Sequence, residues 1–449
     1  MPHPRGMEVG WMRRNRAVVL GGGVAGLLAA RVLADAYRNV VIVERDRMSG
    51  TGHRRGVPQA HHVHGLLPRG LAIVEEMLPG FTDAVRSDGG RYGDILDNVR
   101  WYVAGRMLRQ APTGLGALSA SRPLIEGTIR ARVLERPNVT VLDGYDVVGV
   151  STSPDRRRVV GVRATSADGD LSRLLPTDLV VDATGRGSRA TRWLAEVGYG
   201  PVPEDVVRID LTYSSRIFAV PPDAFGSDLV VSTQRHPGQL RSSVMQLIEG
   251  DRALVTLAGI LGETPPGDLD GFTAYAATLS TPDTHELVRA GRPLGEAARF
   301  KIPTYVRRRY ERMADLPAGL LVLGDALCNF NPTYAQGMTV AAMNAASLRD
   351  ELSHGGDPDP HRFYGAASAT LDAPWAIGVG ADLAVAGVTG PTLPASPLTR
   401  EYLTDLQRAA GEDAELAAAF IRVASAIDPP PALLRPDVAE RVHRAAALT

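Results

Sequence analysis

The chain has 449 residues, 44% of them hydrophobic, which is length for two or three domains and too apolar a composition for a disordered chain. Lys and Arg total 49 and Asp and Glu 50, so no overall basic field exists to attract nucleic acid, and neither nucleic acid nor an anionic membrane is an expected partner. No apolar run reaches the length of a membrane span, and the N-terminal MPHPRGMEVGWMRRNR lacks the apolar stretch and cleavage site of a signal peptide. The sole cysteine, Cys328, excludes an internal disulfide and fits a reducing cytoplasm. Flanked by Leu327 and Asn329, it is expected to be a packed small hydrophobe rather than a nucleophile.

In chain order, Arg16 to Leu20 predicts a short buried strand, Gly21 to Gly26 a turn, and Val24 to Ala36 an Ala/Leu-rich helix. Val40 to Glu44 predicts a second buried strand ending in an acid, which makes a βαβ opening and a parallel sheet. A Gly/His/Arg-rich loop runs from Met48 to about His64. Val139 to Leu142 and Val159 to Ala164 predict strands joined by a polar connection, and Leu179 to Thr184 a further buried strand. From about Ile209 to Leu261 the pattern alternates, as in an antiparallel sheet with one wet face. Gly319 to Leu323 returns to the buried-strand type, and Met338 to Leu352 predicts an Ala-rich helix. The tail from about Pro360 is mostly helical and broken by prolines such as Pro391, Pro394 and Pro429 to Pro431.

The fold expected is therefore α/β: a Rossmann-like first domain interrupted by an antiparallel-sheet second domain, with a helical C-terminal region. Its boundaries are set at 14–80, 110–200 and 300–355 for the first domain, 81–109 and 201–299 for the second, and 356–449 for the helical region.

Gly21, Gly23 and Gly26 have GxGxxG spacing directly after a strand and at the start of a helix. The first glycine permits the turn, the second lets the backbone approach a pyrophosphate, and the third lets helix and strand pack closely. The helix start, with Val24 and Ala25, then offers N–H groups and a dipole to the diphosphate. Glu44 ends the second strand where a ribose would be held, with Arg45 beside it. The alternative for such a turn is purely structural, and dinucleotide binding is favoured because strand, helix and acid occur together. These features alone do not separate FAD from NAD.

GLLVLGDALCNFNPTYAQGM (Gly319 to Met338) places Gly324 and Asp325 at a strand end, then a loop containing Pro332, then a helix. This stretch resembles the second FAD fingerprint of the class A flavin monooxygenases, which share the p-hydroxybenzoate hydroxylase fold. The resemblance implies that Asp325 binds the ribityl or pyrophosphate part of FAD. It also implies that Gly337 and Met338 offer N–H groups to the pyrimidine side of the flavin. VVDATGRGSRATRWL (Val180 to Leu194) resembles the family's middle motif around Gly185 and Ser188, but Thr184 stands where the common form has Asp. HRRGVPQAHHVHGLL (His53 to Leu67) resembles a loop laid against the cofactor, which implies Arg54 at the phosphate-ribose region and Gly56 and Val57 at the flavin. Arg122 resembles the residue that closes over the ribityl chain, the alternative being a surface salt bridge.

His61, His62 and His64 lack a partner set at metal spacing, so no metal is expected, and His64 is the candidate pocket residue in a site whose catalytic residues are otherwise unassigned. RRGVPQxxHxH, DATGRGSRxxxWL, GDALCNFNPTYAQGM and Asp372 to Trp375 together look like bacterial flavin epoxidases acting on polyether polyketides. That resemblance implies NAD(P)H and O2 as co-substrates, a flavin hydroperoxide as oxygen donor and a hydrophobic small-molecule substrate. The expected activity is FAD-dependent epoxidation or hydroxylation of a polyketide- or terpenoid-like intermediate. The alternative is a redox-silent FAD-dependent cyclase performing a [4+2] cycloaddition to a decalin. A non-catalytic flavin-binding module and a reductase acting on prenyl chains are further readings. Oligomeric state is left open.

Overall fold

The computed structural model describes residues 14–48, 58–236 and 238–447. Strands Arg14–Leu20, Tyr37–Glu44, Val139–Asp143, Leu179–Asp182 and Leu320–Val322 form a five-stranded parallel sheet. In that sheet Leu320–Val322 lies at one edge beside Leu179–Asp182, followed by Arg14–Leu20, Tyr37–Glu44 and Val139–Asp143. The register pairs Ala17 with Leu179, Val18 with Val41, and Val180 with Leu320. Ala17 to Leu20 are wholly buried, as uninterrupted apolar strands must be when both faces are covered. Helix Val24–Ala36 packs on helix Gln336–Ser353, and small residues on both (Ala29, Ala30, Ala341, Ala345) let the backbones approach. The Rossmann-like layer therefore closes only when the edge strand from late in the chain is added.

Two expectations are corrected. The polar connection between the strands at Val139 and Val159 is itself a strand, Tyr145–Thr152, pairing antiparallel with Val159–Ser166 in a three-stranded sheet. Its exposed face carries Asp146 and Val148, while Val147 and Val150 are buried, so a valine on each face and the register shift at Gly149 blur the alternation.

The second correction concerns the large sheet, whose seven strands include Glu204–Ala219, Arg252–Gly259, Arg241–Ile248 and Val230–Thr233. Strand Arg292–Arg308 flanks them on one side, and Val99–Val103 with Arg106–Met107 on the other. Its wet surface is confined mostly to strand Arg292–Arg308, and over the strands Val230–Thr233 and Arg241–Ile248 the polar face lines a cavity instead. Helices Leu269–Ala276 and Asp283–Ala290 cover one side, burying Phe218, Met245, Leu247, Val255 and Phe272 in a common core. The polar residues of the alternation point the other way, into an internal cavity.

The C-terminal helices Pro360–Leu383, Arg400–Ala409, Ala414–Ala424 and Pro436–Ala446 complete the molecule, with Pro374 inside the first of them. The last three share a core with Val99, Val103 and Leu108, through Leu406, Leu416 and Val442. Among the described residues no helix is long and apolar enough to cross a membrane.

Candidate functional site

One cavity of about 1290 Å³ runs from the glycine turn to the C-terminal helices. That exceeds the 300–1,000 Å³, roughly, of a pocket for one drug-sized ligand, so a cofactor and a second molecule have room together.

At one end, strand Arg14–Leu20 stops at Gly21, whose backbone takes a left-handed φ of +94°. A Cβ on Gly21 would lie 2.7 Å from the Ala183 carbonyl oxygen, and one on Gly26 only 1.9 Å from that of Gly21. Gly23 differs: nothing lies within 4 Å of where its Cβ would be. It is the N-cap of helix Val24–Ala36, with no side-chain cap and no acidic residue in the first turn. The N–H groups of that turn thus face open space with the positive end of the helix dipole behind them, which suits a diphosphate.

Glu44 is 8% exposed and braces this turn, its Oε2 accepting from the Gly22 N–H at 2.7 Å and its Oε1 from the Asp46 N–H at 3.0 Å. Glu44 and Arg45 border the cavity beside the helix start.

Asp325 arrives from the far edge of the sheet. Gly324, at φ +63°, lets the chain turn where a Cβ would come within 2.6 Å of the Ala25 Cβ, and its N–H donates to Asn344 Oδ1 at 3.0 Å. An added Cβ on Gly185 would be 3.9 Å from the Asp325 Cβ, and one on Gly337 3.8 Å from Asp325 Oδ1, so these three residues meet at one place. Burial raises the Asp325 carboxyl above its ordinary pKa, against the opposing pull of Arg186 and Arg122. No hydrogen bond from a described residue reaches it. A half-buried carboxylate without donors is suited to accept them from hydroxyl groups of a ligand.

Pro332, Gly337 and Met338 line the cavity where the chain enters helix Gln336–Ser353, with Ala335 held at φ +55°. Arg122 also lines it and pairs with Glu126 at 3.0 Å, so it is both a cavity residue and half of an ion pair. Arg54, Gly56 and Val57 lie outside the described residues.

His62 and His64 are on the cavity wall as well. His62 Nδ1 lies 2.7 Å from Ser215 Oγ, and its ring meets Tyr213 edge-on at 4.3 Å. Burial, with His64 and His61 adding to it, pushes the His62 pKa down to about 3. Burial and then Arg122 push that of His64 to about 3 as well. His64 Nδ1 is 2.9 Å from the His62 carbonyl oxygen. A carbonyl only accepts, so Nδ1 carries the proton and Nε2 is left as an acceptor. Among the described residues no group of three or more His, Cys, Asp or Glu side chains could hold a metal. Cys328 is free and buried, and burial raises its thiol pKa well above the ordinary value.

The middle motif turns inward. Thr184 Oγ1 donates to Asp182 Oδ1 at 2.6 Å and Ser188 Oγ to Oδ2 at 2.7 Å, so both hydroxyls serve a buried carboxylate. Arg192 is exposed and pairs with Glu196. Two arginines of this motif line the cavity: Arg186, which donates to the Thr304 carbonyl at 2.7 Å, and Arg189, which pairs with Asp146.

The sequence also gave no notice of a buried cluster around Asp382, which is 0% exposed. Tyr305 Oη donates to it at 2.6 Å, Tyr334 Oη at 2.7 Å and Asn331 Nδ2 at 3.0 Å, and Arg235 forms an ion pair with it. A spacing motif could not disclose this group, because its members come from four separate elements and loops.

The chain matches a family described as FAD dependent oxidoreductase over residues 17–201. It is 33% identical over 352 residues to Protein Rv3254 of Mycobacterium tuberculosis, covering 76% of this chain and 73% of that one. Among solved structures it resembles PqsL, a probable FAD-dependent monooxygenase from Pseudomonas aeruginosa, with a TM-score of 0.60 and 19% identity over 90% of this chain and 99% of that one. It resembles the flavin-dependent brominase Bmp2 with a TM-score of 0.63 and 14% identity, over 96% and 98% of the two chains. It resembles the Diels-Alderase PyrE3 of pyrroindomycin biosynthesis with a TM-score of 0.60 and 18% identity, over 92% and 81%. Three reactions on one architecture mean that the fold does not fix the chemistry.

Proposed function

Given that the chain belongs to the FAD dependent oxidoreductase family, we propose that it is a monooxygenase that epoxidises or hydroxylates a polyketide- or terpenoid-like small molecule. The observation that carries this reading is the continuity of one cavity from the Gly23 cradle to a chamber under the large sheet.

In this reading Gly21, Gly23 and Gly26 with the N–H groups of Val24 and Ala25 hold the diphosphate, and Glu44 and Arg45 take the adenosine ribose. Asp325, with Gly185 and Gly324 shaping the space around it, accepts hydrogen bonds from the ribityl hydroxyls, and Arg122 closes over that chain. Pro332, Gly337 and Met338 border the flavin's pyrimidine side, where the positive end of helix Gln336–Ser353 favours negative charge. Arg54, Gly56 and Val57 complete the binding set. Bound FAD supplies two-electron chemistry with NAD(P)H and transfer of one oxygen atom from O2. The chain's own work is to position the substrate and exclude water, and the neutral His64 offers Nε2 as a hydrogen-bond acceptor on the wall of that site. The same reading divides the chain at the boundaries given above, and places it in the cytoplasm.

The test is mass spectrometry of products from FAD-loaded protein with candidate polyketide and terpenoid substrates, NADPH and ¹⁸O2. Substrate-dependent NADPH oxidation with one ¹⁸O in the product is expected. Formation of the same product without O2 or reductant overturns the reading.

A redox-silent cyclase is the second reading. It is favoured by the likeness to PyrE3 and by the inward turn of Thr184 and Ser188. A product isomeric with its substrate would decide for it.

A further inference from the structure

The polar wall of the chamber carries groups that the protein itself leaves unused. Ser242, Val244 and Gln246 alternate along strand Arg241–Ile248 and point to one side, and the register sets Ser232 across from Val244 and Val230 across from Gln246. All five line the cavity. Several hydroxyls elsewhere in this sheet are paired, Ser215 with Thr256 at 2.6 Å, Thr233 with Thr281 at 2.9 Å, and Ser243 with Thr284 at 2.8 Å, although the buried Ser214 Oγ is not. Ser232 and Ser242, although buried, have no side-chain hydrogen bond among the described residues. Gln246 is 2% exposed and its Oε1 has no partner, while its Nε2 reaches the Ala120 carbonyl only at 3.4 Å. Native proteins seldom leave such groups unpaired without a ligand or water to meet them.

The wall supplied by the C-terminal helices is mainly apolar. Its inner residues are Ile377, Ala381, Leu403 and Phe420. Of its polar members Arg400 and Thr404 are exposed, which puts the mouth of the cavity beside them, while Gln407 is half-buried and Ser425 buried.

We infer that the chamber takes a ligand polar along one edge only, with hydroxyl groups against Ser232, Ser242 and Gln246 and hydrocarbon against Ile377, Leu403 and Phe420. This rests on the reading of the cavity as cofactor site plus substrate chamber, and it adds the substrate's class. An amide oxygen only accepts, so a ligand that displaces water from beside Gln246 Oε1 must bring a donor to it. An ether or ketone at that place leaves it unpaired, whereas a hydroxyl satisfies it and can also serve the two serines.

The proposal is tested by equilibrium binding of cholic and lithocholic acid to the FAD holoenzyme, by calorimetry and by perturbation of the flavin absorbance. The two acids share a ring system and a carboxylate and differ in the hydroxyls on one face. We expect cholic acid to be preferred, and the cholic-to-lithocholic affinity ratio to fall about tenfold in Gln246→Leu and in Ser232→Ala/Ser242→Ala. Ser242→Thr, which keeps the hydroxyl, is expected to retain the preference, and FAD content reports that each variant is folded. An unchanged ratio in both polar-to-apolar variants, or binding of neither acid, overturns the proposal. No NADPH or O2 is present, so failure of the monooxygenase reading does not alter this result, and loss of the preference leaves that reading standing.

Discussion

Gly23 and Gly26 belong to the same turn of chain, yet a side chain at each would meet opposite surroundings. At Gly23 a valine would project only into the cavity, so Gly23→Val is expected to lower FAD affinity about 100-fold, roughly 3 kcal/mol. Apoprotein stability should change little. Gly26→Ala forces a methyl against the Gly21 carbonyl and is expected to destabilise the apoprotein itself by about 3 kcal/mol. Urea unfolding of the apoproteins and quenching of FAD fluorescence separate the two outcomes. His62 carries a pH dependence with a definite sign. Its pKa is about 3 in the folded chain, against about 6.5 unfolded. Below the unfolded value the unfolded chain binds the proton and the folded chain does not. The stability is therefore whole above about pH 6.5 and is lost as pH falls toward the folded pKa, by about 1.4 kcal/mol per pH unit. His64 acts in the same direction. Urea midpoints at about pH 7.5 and about pH 5.5 should converge in His62→Gln relative to the unaltered chain, and equal slopes in the two proteins would contradict the assignment.

Between elements, the Asp382 cluster does what no single contact could. Helix Pro360–Leu383 supplies the carboxylate, strand Arg292–Arg308 supplies Tyr305, and the turn Pro332–Tyr334 with the preceding Asn331 supplies two more donors. Arg235 ties in the end of the large sheet through the ion pair, and also donates to Tyr334 Oη at 2.7 Å. The loop that leads into helix Gln336–Ser353 is thereby fixed to three neighbours. Removal of the carboxylate by Asp382→Ala strands a buried guanidinium and is expected to cost about 3–5 kcal/mol in denaturant unfolding. A loss below about 1 kcal/mol would show the cluster to be incidental. Such a cluster was not legible in the sequence, since Asn331 and Tyr334 of the second fingerprint gave no sign of their partners Arg235, Tyr305 and Asp382, which are far away in the chain and belong to no motif. The elements around the glycine turn were legible, because strand, turn and helix are contiguous there and each residue's role follows from local geometry: helix Val24–Ala36 begins and ends where its pattern predicts. Strand Tyr145–Thr152 was hidden because the exposed Val148 and the register shift at Gly149 break its alternation. The large sheet was recognised from its alternation, but a polar face looks the same in a sequence whether it meets bulk water or a cavity. Ser232, Ser242 and Gln246 became candidates only once helices were seen on the other side.

At the scale of the whole molecule the C-terminal helices are a lid with its own core. Leu406, Leu416 and Val442 pack on Val99, Val103 and Leu108, apart from the core of the parallel sheet. The glycine turn, Glu44 and Asp325 lie in or beside the parallel sheet. A chain ending near residue 399 is accordingly expected to retain FAD while binding a solvatochromic dye such as ANS far more strongly, because the chamber and the strand Val99–Val103 would be uncovered. Loss of FAD on that truncation would place the cofactor site under the control of the lid. The sheet that carries the glycine turn has a temporal consequence as well. Its edge strand Leu320–Val322 must find Leu179–Asp182 after the whole intervening antiparallel sheet has been made. During synthesis the first strands emerge long before Asp325 and helix Gln336–Ser353, so the nascent chain carries an open apolar sheet edge and half a cofactor cradle. Cofactor capture becomes a late event on the ribosome, and the interval before it is when this chain is most exposed to aggregation and most dependent on chaperones.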